Sequence, residues 1–263
     1  MNNYHARRFQ DFYEETQYTR LKNYLYNYLL RKMSVEQNLQ NENPEMILEV
    51  GSGISPVMMI SRDIIYSDLS FSAIKFLKST YGRGYYIVAD CMSLPFKSGV
   101  FSHAISSEAL EHLSDDRQAI KEISRVLKPS GQFIVTFPHR KSYFAIDDRF
   151  VGHLRRYEIN EMLARLKGAG FRPMTIQKVL GPLEKITMCF AVLCFSIIQK
   201  FKSEKSKVSR NSVIMNIFIS IFQRANQYYA MFAWIDARIL PRALSTVLLI
   251  NSVLSNKPKE NGW

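Results

Sequence analysis

Short apolar runs recur along the first two thirds of the chain, and stretches with helical spacing separate them. Strands are expected at residues 46–50, 64–67, 85–89, 101–106 and 132–137, each bounded by Gly, Asp, Ser or Pro. Residues 70–79 and 115–127 place apolar side chains three and four apart, which predicts helices. Buried strands alternating with helices make a parallel sheet covered on both faces. Further along, the Lys-Pro-Ser-Gly stretch at 128–131 reads as a turn, 158–168 as a helix and 175–180 as a strand. The last apolar run, 247–254, reads as an antiparallel strand beside the fifth. The expected fold class is α/β, a seven-stranded, mostly parallel sheet of Rossmann-like type.

The ends of the chain break that rhythm. Residues 4–33 carry aromatic residues at helical spacing and predict one or two helices, followed by a polar linker at 34–44. Residues 186–199 and 211–223 are uncharged runs, separated by a basic linker at 200–210 and followed by Tyr228, Tyr229, Phe232 and Trp234. A helix of about fourteen residues spans ~21 Å, short of the ~30 Å bilayer core, so neither run is expected to cross a membrane. A lid over the sheet and a lid that also touches a membrane both remain open. The resulting division is an N-terminal helical cap (1–43), a core (44–180), a late helical insertion (181–240) and a last strand with its tail (241–263).

Charge narrows the choice of partners. Residues 1–180 hold 24 Lys and Arg against 19 Asp and Glu, and residues 181–263 hold 11 against 4, giving +5 and +7 of the net +12. Basic residues interleaved with apolar and aromatic ones suit an anionic lipid surface better than a groove that follows nucleic-acid phosphates. Cys91, Cys189 and Cys194 are too few for a disulfide framework or a zinc knuckle, which points to a reducing compartment. No apolar run follows the first basic residues, so no secretory signal is expected; the expected location is cytoplasmic, with a peripheral place on a membrane left open.

Candidate chemistry gathers at strand ends. Glycines 51 and 53 directly follow the first strand and let backbone N–H groups approach a ligand at the mouth of the sheet. Asp68 ends the second strand, where a carboxylate can accept both hydrogen bonds of a ribose diol, and Asp90 ends the third. A nicotinamide site would want glycine at 56, where this chain has Pro56.

The stretches 47–53 (Ile-Leu-Glu-Val-Gly-Ser-Gly), 67–70 (Ser-Asp-Leu-Ser), 88–96, 106–113 and 122–131 together resemble the class I S-adenosylmethionine-dependent methyltransferases, in particular the group containing the ubiquinone and menaquinone enzymes. The resemblance covers roughly residues 45–180. It implies S-adenosylmethionine as cofactor, with Glu49, Gly51 and Gly53 at its methionine end, Asp68 at the ribose and Asp90 at the adenine, and with Ser52, Leu69, Cys91, Ser106 and Ser107 as further cofactor-binding residues. Ser55 and Pro56 depart from the glycine pattern of the family. A base methyltransferase would show a [DNS]PP[YFW] element after the fourth strand, where this chain has Ser-Ser-Glu-Ala.

On an α-helix, Glu108, Glu111 and His112 would share one side, which could hold a divalent metal; a polar helix start is the reading adopted, and no metal ligand is assigned. The stretch 152–157 (Gly-His-Leu-Arg-Arg-Tyr) resembles the loop that closes over the acceptor in related methyltransferases. His153 and His139 are the expected general bases, and Tyr157 with Arg156 would orient the acceptor. The expected activity is O-methylation of a small amphipathic or lipid-linked acceptor, the alternative being a noncatalytic cofactor-binding or membrane scaffold protein.

Overall fold

The computed structural model describes residues 25–40, 44–59, 63–201 and 212–255, and within its last two helices omits the side chains of 194–201, 212–219 and 222. Its strands are β1 (Ile47–Val50), β2 (Ile64–Asp68), β3 (Tyr85–Val88), β4 (Phe101–Ser107), β5 (Leu127–Pro138), β6 (Phe171–Leu180) and β7 (Val247–Leu254). They form one sheet in the order β3-β2-β1-β4-β5-β7-β6. The first five pair in parallel, and β7 runs antiparallel between β5 and β6. Strand order reverses between β1 and β4, which opens a crevice at their carboxyl ends.

Helices α1 (Tyr26–Leu39), α2 (Phe71–Tyr81), α3 (Asp116–Val126), α4 (Ile146–Val151), α5 (Ile159–Gly168), α6 (Pro182–Phe201) and α7 (Ser212–Ile239) accompany the strands. Helix α2 starts where Ser70 accepts the N–H of Ala73 at 3.2 Å and stops at Gly82, whose φ of 63° a side chain would disfavour. Helix α3 starts on Asp115, which accepts the N–H of Gln118, and buries Ala119, Ile120, Ile123 and Val126 on one face. That face packs with Leu48, Val50, Phe101, Phe133 and Leu248 in a core on one side of the sheet. Ile47, Ile64, Ile105, Ile134 and Leu249 fill the other side, under Tyr28, Leu30 and Val35 of α1.

Three expectations need correction. The polar linker at 34–44 is helical as far as Leu39, because Val35 and Leu39 continue the apolar stripe and Ser34 returns its hydroxyl to the Leu30 carbonyl at 2.9 Å. The turn at 128–131 is absorbed into β5 as an irregularity, with Ser130 at φ 62° and the register against β4 shifted between Phe101 and His103. Strand β6 begins at Phe171, earlier than expected, since β7 pairs with it from Leu254 inward. Residues 4–24 of the aromatic pattern, residues 202–210 of the basic linker and residue 211 lie outside the described residues.

Helices α6 and α7, placed between β6 and β7, lie side by side and antiparallel: the N–H of Leu183 donates to Asp236 at 3.0 Å, and Thr187 bonds the Tyr229 hydroxyl. Asp236 thereby caps the start of α6. A Cβ at Gly181 would overlap the Asp236 carboxylate in this capping position, so a larger residue there would have to displace the cap. Helix α7 also packs on α1, where Tyr26 and Tyr229 meet edge to face at 4.8 Å.

Candidate active site

The crevice at the carboxyl ends of β1, β2 and β4 deepens into a cavity of about 340 Å³. At one end Gly51, Ser52 and Gly53 turn over the end of β2, where the N–H groups of Gly51 and Ser52 both donate to the Ser67 carbonyl, at 2.8 and 3.1 Å. Gly51 has φ 70°, and a Cβ there would stand 2.5 Å from that of Ala109. Only glycine lets the loop pass this close. Asp68 accepts Gly53 N–H through one oxygen and Ser70 N–H through the other, both at 2.8 Å. A carboxylate oxygen accepts two hydrogen bonds, so this acid can hold the loop and a ligand diol together. Leu69, Asp90, Cys91 and Met92 continue the wall, with Asp90 accepting Met92 N–H at 2.9 Å; burial pushes the Cys91 thiol up to about 12.

Glu49 lines the cavity, yet its carboxyl faces its own loop and accepts the N–H groups of Val57 and Met58 at 2.8 and 3.2 Å. Burial pushes it up to about 8 against the pull of those two donors. Of the two serines ending β4, Ser107 lines the cavity and bonds Thr136 at 2.9 Å. Ser106 does not line it and is fully buried, because adjacent strand residues alternate between faces.

At the other end His153 stands in the wall. Its Nδ1 lies 2.8 Å from Asp148 and its Nε2 lies 3.6 Å from Glu111, beyond hydrogen-bond length. Burial works to raise the Asp148 carboxyl, but His153, Arg156, Lys185 and the Ala145 N–H outweigh it and hold the group well below the usual range. The Glu111 carboxyl, fully buried and near Glu108, is pushed well above its usual range. The other two catalytic candidates are not in this cavity. Tyr157 is fully buried and donates its hydroxyl to Asp116 at 2.8 Å, and His139 is buried with Nδ1 2.9 Å from the Ser245 carbonyl. Both fasten the segment after β5, where they pair as a single β-bridge. Arg156 backs the site: its Nε donates to Asp148 at 2.7 Å and its Nη1 to the His139 and Thr246 carbonyls.

The Glu108, Glu111 and His112 group also takes another form. Glu108 has φ 52° and only Leu110–His112 form a short 3-10 turn, so no α-helical face gathers the three. Glu108 meets Arg31 of α1 at 3.4 Å, and His153 joins Glu111 and His112 instead, their potential ligand atoms within 4.8 Å of one another. Sequence reasoning missed Asn27, Tyr28 and Arg31 of α1 and Glu184 and Met188 of α6, all in the cavity wall. A signal existed in Glu184 and Lys185, lone charges opening a long apolar helix.

A protein-family model described as a methyltransferase domain matches residues 48–135, the stretch that carries the glycine loop and both strand-end acids. Residues 48–135 are a class I S-adenosylmethionine-dependent methyltransferase domain. A "Probable S-adenosylmethionine-dependent methyltransferase" of Mycobacterium tuberculosis is 27% identical over 123 residues, 46% of this chain and 45% of that protein. The malonyl-[acyl-carrier protein] O-methyltransferase of Pseudescherichia vulneris is 27% identical over 154 residues, 52% of this chain and 61% of its own. The chain thus spans about half the length of these relatives. Among solved structures, phosphoethanolamine N-methyltransferase 2 of Haemonchus contortus, in complex with S-adenosyl-L-methionine, superposes with a TM-score of 0.55 at 18% identity, covering 94% of this chain and 60% of that one. The methyltransferase domain's cofactor is S-adenosylmethionine, and Asp68 and Asp90 stand in the cavity wall just past β2 and β3.

Proposed function

We propose that the protein transfers a methyl group from S-adenosylmethionine to a hydroxyl oxygen of a small amphipathic or lipid-linked acceptor, working at an anionic membrane surface. The cofactor supplies an already activated methyl, so the protein has to hold the acceptor in line and remove its proton. His153 carries this reading. An ionised Asp148 at Nδ1 keeps the ring's proton on that nitrogen, which leaves Nε2 with a lone pair for the acceptor hydroxyl. The wall around it mixes Phe150, Val151, Met188 and Val247 with Arg31, Glu108 and Glu184, which suits an acceptor with a polar head and an apolar body. The relative that methylates an oxygen on malonyl-[acyl-carrier protein] lends support to oxygen as the target.

The test incubates the protein with methyl-labelled cofactor and with lipid and polar extracts. Label should enter an organic-soluble product, and His153→Ala should slow its formation by roughly 10²–10⁴ while S-adenosylhomocysteine binds as before. A near-normal rate in that variant would remove His153 as the base, and absence of any labelled product would remove the activity.

A further inference from the structure

Helices α6 and α7 carry their amphipathic faces in the reverse sense to a lid in water. On α6 the charged side chains among the described ones turn inward: Glu184 lines the cavity and Lys185 contacts both Asp147 and Asp148 at 2.6 Å. Ile186, Phe190 and Leu193, one face of the same helix, are 68, 67 and 51% exposed. On α7 the inward positions are Ala233, Ala237 and the capping Asp236, whereas Ile221, Tyr228, Phe232, Ile235 and Ile239 recur along one exposed face. A surface helix of a protein bounded only by water places these residue types the other way, and adjoining exposed stripes of this kind mark a binding surface.

We propose that this outer face of α6 and α7 docks the protein onto an anionic phospholipid surface, with the helices lying in the headgroup layer. Charge selects that occupant. Exposed Arg224 and Arg242 flank the α7 stripe, as does Arg238, whose guanidinium lies 4.2 Å over the Trp234 ring. The sequence between the two helices adds Lys202, Lys205, Lys207 and Arg210 against Glu204 alone. Two copies meeting through the same face would bring these cations together. Trp234 and Tyr228 are the amphipathic rings that favour the headgroup depth. Among the described residues no helix is long and apolar enough to cross a membrane, so the face lies on the bilayer. Because Glu184 and Met188 on the inner side of α6 line the cavity, docking sets the acceptor wall against the lipid; this last step rests on the proposed methyl transfer.

The full chain is tested by cosedimentation with vesicles of phosphatidylcholine, with and without phosphatidylglycerol. Binding is expected to the anionic vesicles, falling with salt, and Phe190→Ser with Phe232→Ser should weaken it roughly tenfold or more. Both positions are exposed, so the thermal midpoint and the affinity for S-adenosylhomocysteine should stay as in the parent chain. Failure to bind either vesicle at low salt, or unchanged binding by the double variant, overturns the proposal. So does a dimer that the same substitutions dissociate without any vesicle binding. Calorimetry with S-adenosylhomocysteine tests the cofactor site without lipid, so failure there and failure to dock are told apart.

Discussion

Asp68 anchors the Gly53 and Ser70 N–H groups, and in the site proposed for the nucleoside it would also hold the ribose diol; a pair of substitutions separates the two roles. Asp68→Ala would remove the proposed charge-assisted bonds to a ribose along with the anchors of Gly53 and Ser70, so affinity for S-adenosylhomocysteine should fall about ten- to a hundredfold by calorimetry. Asp68→Asn should fall between, since its amide NH2 can no longer accept one of the two backbone N–H groups. Equal affinity in all three proteins would take the nucleoside away from this acid. Asp148→Asn makes a different prediction. Without the charge that fixes the Nδ1 proton, kcat should drop on the order of a hundredfold and its pH profile should move, with cofactor affinity unchanged. Residues at strand ends were legible in the sequence because a strand followed by Gly or Asp places them at one edge whatever else the fold does. His139 and Tyr157 were not: both are polar residues in a loop motif, and only tertiary contacts with Ser245 and Asp116 reveal that they fasten the chain.

Elements far apart in sequence complete the cavity. Helix α1 holds the glycine loop through the Tyr28 hydroxyl, which donates to the Pro56 carbonyl at 2.7 Å in a buried setting. Tyr28→Phe should therefore cost about 1 kcal/mol in a urea denaturation series, with a weaker hold on S-adenosylhomocysteine. Helix α6 reaches the proposed base, His153, through Lys185 and Asp148 in succession. Lys185→Met keeps the length of the side chain and removes its charge, so it should lower kcat with little change in cofactor affinity, whereas Lys185→Arg should restore part of the rate. Loss of folding in both variants, read by thermal melting, would assign Lys185 to stability alone. The strands and the first two sheet-covering helices were readable because their apolar period follows their own burial. Helix α1 was cut short in the reading because Gln37, Asn38 and Gln40 look like linker, yet Asn38 is bonded to Gln177 on β6 and the apolar stripe runs on beneath it.

At the scale of the whole molecule, the order of elements fixed the sheet in advance, and the placement of buried carboxyls did not show until the chain was folded. Glu49, pushed up by burial to about 8, and Glu184, pushed up by burial to about 7, line the cavity, and Glu111, raised by burial and by Glu108, is fully buried beside His153. Each titrates in the unfolded chain near about 4.3, so between that pH and the folded value the native state binds more protons than the unfolded state. Their stabilising contribution is fully present below about pH 4.3 and is lost as pH rises through 7 and 8. Asp148 works in the other direction. Its folded value is depressed, so its contribution is present above the unfolded value of about 3.9 and is lost as pH falls through the folded one. Thermal midpoints measured across pH should peak where the two windows meet, about pH 4, and decline toward pH 8.5. Glu49→Gln cannot ionise, so it should flatten the alkaline limb while leaving the acid limb to Asp148. An alkaline limb of unchanged slope in that variant would mean that Glu49 is already ionised in the folded protein, with Val57 and Met58 outweighing its burial.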